Sequence, residues 1–87
     1  MIVQLHKKFE KHYDKLTSKL QEKVDAKVEL FKRDPFDPTL GNHALTGNMQ
    51  DRRAFWVTGD CRVIFREYNN YTYVLMLEVG THNQVYY

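Results

Sequence analysis

The spacing of apolar positions changes twice along the chain. Ile2, Val3 and Leu5 form a short apolar opening, which reads as a strand over Met1–Leu5. Phe9, Tyr13 and Leu16 then fall at i, i+4 and i+7, which predicts a helix from about Lys7 to Leu16. Thr17-Ser18 interrupts that stripe. Ser18 with Gln21 three residues later fits a capping box and opens a second helix, apolar at Leu20, Val24, Val28 and Phe31. Pro35 disfavours an α conformation at Asp34, so this helix should end near Arg33. The two helices read as an antiparallel hairpin with one face inward and lysines outward.

From Arg53 the period becomes two. A strand is expected over Arg53–Thr58, with a two-residue hairpin turn at Gly59-Asp60 in which glycine takes the first central position. The next strand, about Cys61–Tyr68, alternates Cys61, Val63 and Phe65 with Arg62, Ile64 and Arg66. Asn69-Asn70 suits a second tight turn, because asparagine tolerates positive φ. Tyr71–Val79 reads as a central strand, Gly80–Asn83 as a loop, and Gln84–Tyr87 as a short last strand. The predicted class is α+β in the order β-α-α-β-β-β-(β). An N-terminal strand and a helical hairpin pack on a small, mainly antiparallel sheet. Residues 1–87 are expected to form one domain.

Composition narrows the function classes. Hydrophobic residues at 43% and aromatics at 14% point to a packed core and not a disordered chain. Cys61 is the only cysteine, which rules out an intrachain disulfide and any Cys-based zinc spacing. No clustered carboxylate metal site is visible, so neither metal nor cofactor is expected. No apolar run approaches the ~20 residues that span a bilayer, and no signal peptide opens the chain. The expectation is a cytoplasmic protein with no membrane partner. Residues 1–33 carry nine Lys/Arg and five Asp/Glu, although the whole chain has a net charge of only +2. Lysines such as Lys23 and Lys27 on the second helix are candidates for nucleic-acid backbone contacts; a solvated helix face is the plainer reading.

Candidate chemistry lies in the second half. His43 precedes the sheet in an expected loop, and His82 follows the long strand near Gly80. Imidazole can give or take a proton near neutrality. Arg62 interrupts an apolar strand, so it either pairs with Asp60 or Glu78 or holds a phosphate. Tyr86 and Trp56 could stack on bases. Two histidines with Asp60, Arg62 and Tyr86 would permit metal-independent RNA transesterification, in which a base activates the 2′-OH and an acid protonates the leaving 5′-oxygen.

The order of several short motifs resembles one family. They are His6-Lys7-Lys8-Phe9-Glu10-Lys11, Asp34-Pro35-Phe36-Asp37-Pro38, His43-Ala44-Leu45-Thr46-Gly47, Val57-Thr58-Gly59-Asp60-Cys61-Arg62-Val63-Ile64-Phe65, and Gly80-Thr81-His82-Asn83-Gln84-Val85-Tyr86. The chain is similar to the RelE/ParE superfamily of type II toxin–antitoxin toxins, with its nearest likeness to the RelE- and YafQ-type mRNA interferases. The resemblance implies a RelE-like fold and ribosome-dependent cleavage of mRNA in the A site. It also implies a cognate antitoxin that binds and neutralises the toxin in a hetero-oligomer. By the same resemblance, His43, Asp60 and His82 match active-site positions of the YafQ type, and Arg62 matches the phosphate arginine of the RelE type. Arg53 stands where those members have a functional lysine, and Tyr86 near a terminal aromatic. Trp56 stands where the YafQ type has a further catalytic histidine. Two other outcomes of the resemblance are a ParE-like gyrase inhibitor and a relative that only binds its antitoxin.

Overall fold

The apolar stripes of the two predicted helices are met by one face of a five-stranded sheet. The computed structural model describes residues 1–81 and Val85. In chain order the elements are β1 (Ile2–Leu5), α1 (Lys7–Asp14), α2 (Ser18–Arg33), β2 (His43–Ala44), β3 (Arg53–Trp56), β4 (Cys61–Tyr68) and β5 (Tyr73–Thr81). Short 3₁₀ turns occupy Pro38–Leu40 and Gly47–Met49. Strand order is β1-β5-β4-β3-β2, with β1 parallel to β5 and the other pairs antiparallel. This is the α+β arrangement that the periodicity predicts.

Phe31 from α2 anchors the main core. It stacks on Phe55 of β3 with ring centres 4.9 Å apart and meets Phe65 of β4 edge-on at 4.9 Å. Phe9, Val24, Leu40, Val63, Val74 and Met76 surround this trio and are buried. Each such side chain contributes about 1.5–3 kcal/mol on leaving water, which is what holds the hairpin to the sheet.

Several boundaries differ from expectation. Helix α1 stops at Asp14, and Leu16 lies beyond it. The cap of α2 is Thr17, not Ser18: its hydroxyl accepts from Leu20 N at 3.2 Å. Gln21 does not fold back on the cap. Its amide donates to Tyr13 O at 2.8 Å and ties the two helices together. Strand β3 ends at Trp56, and the β3–β4 turn is wider than two residues. Val57 N and Thr58 N both donate to Cys61 O, while the Thr58 hydroxyl accepts from Asp60 N and Cys61 N. Gly59 has no positive φ there, so no glycine-led hairpin turn forms. At the β4–β5 turn, Asn69 and Asn70 do take positive φ, and Tyr71 joins them, so β5 starts at Tyr73 and not Tyr71. Gly80 and Thr81 belong to β5, where a loop was expected. The expected strand at Gln84–Tyr87 lies outside the described residues, apart from Val85, which is buried and helical where an extended residue was expected.

Register sorts the side chains between the two faces of the sheet. Phe55 and Phe65 face the helices, as does Arg53, which is opposite Phe65. Ala54, Trp56, Arg62 and Ile64 face the other way, because Ala54 pairs with Ile64 and Trp56 with Arg62. On this outer face Ala54 and Ile64 form a small second core with Val85, flanked by Leu45, Met49 and Leu77.

Candidate active site on the outer sheet face

His43 is in strand β2 and not in a loop. It pairs with Ala54, which places it on the outer face beside the small second core. Its Nδ1 lies 2.8 Å from Gly41 O. A carbonyl can only accept, so Nδ1 is the donor in this contact and Nε2 is the nitrogen on the opposite side of the ring. The side chain is exposed. This is the arrangement of a base whose tautomer is fixed from behind.

Gly41 ties His43 to Trp56. It ends the Pro38–Leu40 turn with φ +57°, and its N donates to Pro38 O. A Cβ placed there would sit 2.6 Å from Trp56 Cε3, so only glycine allows the backbone this close to the indole. Trp56 remains 44% exposed. Across the β3–β4 ladder its partner is Arg62, whose guanidinium carbon lies 5.7 Å from the ring centre. Beyond Arg62 the next strand contributes Gly80, which adds no side chain to the face.

Of the alternatives left open for Arg62, the ion pair to Asp60 or Glu78 does not form. Glu78 is taken by Lys8 at 3.0 Å, and no carboxylate contact to Arg62 occurs among the described residues. Instead Arg62 Nη1 donates to the carbonyls of Gly59 at 3.2 Å and Thr58 at 3.4 Å. Those bonds and the indole hold the fork without cancelling its charge. A hollow of about 420 Å³ opens here, lined by Thr39, Trp56, Val57, Thr58, Gly59 and Arg62. Asp60 is exposed on the rim of the same turn. The adjacent Cys61 is buried, and burial first, then the Asp60 charge, pushes its thiol pKa up.

The structure brings His43, Trp56 and Arg62 to one face, with Asp60 in the turn beside Arg62. It does not bring Arg53 there. Arg53 Nε donates to Asn42 Oδ1 at 2.9 Å on the helix side, and Asn42 Nδ2 donates to Pro35 O and to Tyr71 OH. Lys23 and Lys27 lie on α2, in the layer behind the sheet. Near them, between α1 and α2, runs a groove of about 560 Å³ with Phe9 and Val24 in its wall and Glu10, Asp14, Asp25 and Glu29 around it. Its carboxylates repel phosphate. His82 and Tyr86 lie outside the described residues; Val85, between them in sequence, is buried on the outer face. No group of three or more His, Cys, Asp or Glu that could hold a metal occurs among the described residues. No described helix is long and apolar enough to cross a membrane.

Neither Gly41 nor Asn42 is among the candidate site residues that the sequence offers. The Gly-Asn pair before His43 is a turn signal, and a left-handed residue there was legible in principle. Its contact with Trp56 was not.

Known proteins share this architecture. The fold matches the crystal structure of YafQ from E. coli strain BL21(DE3), with a TM-score of 0.82 at 15% identity, covering 98% of this chain and 97% of that one. It matches a YoeB/ParE toxin from Agrobacterium tumefaciens with a TM-score of 0.78 at 18% identity, covering 94% and 99%. The E. coli DinJ–YafQ toxin–antitoxin complex gives 0.80 at 16% identity, covering 98% and 96%. At such identities these likenesses establish the fold alone. No curated protein matches the sequence. The model of the bacterial toxin of type II toxin–antitoxin system, YafQ, matches residues 1–87, and the chain therefore belongs to the YafQ family of type II toxin–antitoxin toxins.

Proposed function

We propose that this toxin is a metal-independent endoribonuclease that cleaves mRNA in the ribosomal A site, in the cytoplasm, and is neutralised by a cognate antitoxin. The observation that carries the reading is the placement, on one sheet face, of an exposed histidine braced at Nδ1 by Gly41 O and of an arginine that has no carboxylate partner among the described residues. The DinJ–YafQ complex, a toxin bound to its antitoxin, supports a protein partner of the same kind here.

The chemistry follows from those groups. A base removes the proton of a ribose 2′-OH, and the bond from O2′ to phosphorus forms as the bond to O5′ breaks. The products are a 2′,3′-cyclic phosphate and a 5′-hydroxyl. His43 Nε2 is suited to the base role, and Arg62 offers planar donors to the charge that grows on the pentavalent phosphate. The proton for the leaving 5′-oxygen comes from a second group, for which His82 and Asp60 are the candidates. Tyr86 and Trp56 are the candidates for holding a base. A proton-transfer group typically contributes about 10²–10⁴-fold.

The test is cell-free translation of a defined message, with cut sites mapped by primer extension. The wild type should cut within codons only when ribosomes are present. His43→Ala, His82→Ala and Arg62→Ala should each lower the rate by about 10²-fold or more while thermal unfolding stays cooperative. Cleavage of free RNA at the same rate would remove the ribosome from the reaction. Full activity in all three variants would remove the site.

A further inference from the structure

Arg62 is not the only arginine on the outer face that lies beside an aromatic ring. Four residues further along β4, Arg66 points the same way, since β-strand side chains alternate and Phe65 between them faces the helices. The Arg66 guanidinium carbon lies 5.2 Å from the ring centre of Tyr68. Tyr68 in turn pairs across the strands with Tyr73, ring centres 5.5 Å apart. Tyr73 OH donates to Gln4 Oε1 at 2.7 Å, which fixes that ring from the far side. Asp51 steadies Arg66 at 3.3 Å and also lies 3.8 Å from Arg52, so the three side chains keep one net positive charge. Arg66 is exposed, and the two tyrosines are half-buried.

We infer that Arg66, Tyr68 and Tyr73 form a second binding position for single-stranded RNA, extending the track that begins at Trp56 and Arg62. The inference rests on the ribonuclease reading of that first position. Both positions set an arginine beside an aromatic ring on the outer face of the sheet. A ring offers a stacking surface that any base can use, and the arginine offers its planar fork to phosphate. Along an antiparallel strand four residues span roughly 13 Å, too far for one nucleotide to touch both arginines and short enough for one strand to touch them in turn. The Ala54–Ile64–Val85 cluster between them is buried and apolar, so the two arginines are the outer-face cations of β4. Lys23 and Lys27 are in the layer behind the sheet and cannot serve this track.

The experiment measures anisotropy of fluorescein-labelled, 2′-O-methylated RNA of three and of ten nucleotides, which binds but has no nucleophile to react. The decamer should bind wild-type protein, and Arg66→Ala or Tyr68→Ala should weaken it about 5- to 50-fold, with the trimer unchanged. Arg66→Ala should also lower the slope of log affinity against log salt by about 0.7, the single-strand value for one phosphate contact. Arg66→Lys should keep that slope and still bind more weakly, because lysine keeps the charge and loses the planar fork. If the decamer binds and Arg66→Ala and Tyr68→Ala leave it unchanged, the second position does not exist. If wild-type protein binds neither RNA, on or off the ribosome, the ribonuclease reading falls with it.

Discussion

Trp56 and Arg62 are partners across the β3–β4 ladder, and the guanidinium carbon of one lies 5.7 Å from the ring centre of the other. The resemblance to YafQ-type toxins puts Trp56 where they have a catalytic histidine. An indole cannot transfer a proton at neutral pH, but it can hold an arginine in place. Trp56→Ala is therefore expected to cost about 1 kcal/mol or less in stability through the cation–π contact, since the ring is partly exposed. The effect on cleavage should be larger than on folding, because Arg62 loses its rest. Trp56→Phe should recover most of the activity. Trp56→His is the informative swap: a steeper dependence of rate on pH between 5 and 8 would show that the ring position reaches the reacting atoms. Rates across that pH range, with Tm as the control, check all three.

Gly41 should be the least replaceable glycine. Alanine at Gly41 would have to adopt φ +57° and would push its Cβ to 2.6 Å from the Trp56 ring. The backbone term alone costs about 1–2 kcal/mol, and the collision adds to it. Gly47 provides the control, with φ +66° and nothing within 4 Å of the position a Cβ would take. Gly47→Ala should show only the backbone cost. In urea, Gly41→Ala is expected to lower the midpoint by at least twice as much. Equal losses would mean that the indole moves aside freely.

Asn42 should matter to stability more than to catalysis. Its amide reaches Pro35 O and Tyr71 OH, and its oxygen accepts from Arg53 Nε. Removing it leaves several part-buried groups without partners, which typically costs about 1–3 kcal/mol. Arg53→Ala should behave similarly at smaller size. Once rates are corrected for the folded fraction, Arg53→Ala should cut message nearly as well as wild type, since Arg53 faces the helices. A drop in rate beyond about tenfold at full folding would place Arg53 back in RNA binding. Denaturation curves paired with cleavage rates make the separation.

The helices were legible because the stripes Phe9–Tyr13 and Leu20–Val24–Val28–Phe31 carry the core, and burial enforces their period. Smaller signals misled by one or two residues. Thr17 and Ser18 are both competent caps, and sequence gives no means to choose between them. The Gly59-Asp60 pair suggested a tight turn, but the Thr58 hydroxyl satisfied two backbone donors and stabilised a wider one. Strand β2 is two residues long, too short for alternation to reveal, so His43 read as a loop residue. The candidate site residues were chosen by type, and type does not say which face of the sheet each takes. Arg53 and Arg62 look equivalent by residue type, yet strand register puts them on opposite sides of the sheet. Arg66 drew no functional reading from the sequence, because its place beside Tyr68, and that of Tyr68 beside Tyr73, follow from the strand register.

Cys61 tests how firmly the β3–β4 turn is held. Its side chain is buried in the main core next to Arg62, and burial raises its thiol pKa above the ordinary value. The thiolate is the reactive form, so native protein should react slowly with iodoacetamide at pH 7.5. The sign of the pH effect follows from the raised folded value. The unfolded chain releases its thiol proton first as pH rises, so this contribution to stability is complete below the unfolded thiol pKa and is lost as pH climbs through the folded one. Stability of the wild type should therefore fall on the alkaline side more steeply than that of Cys61→Ala, which has no thiol to titrate. Cys61→Ala also removes buried volume and should be less stable throughout, by about 1 kcal/mol at neutral pH. The two curves of unfolding free energy against pH should draw together above the ordinary thiol pKa of about 8.5. Parallel curves, or rapid labelling of native protein, would mean that the turn opens and exposes Cys61 without global unfolding.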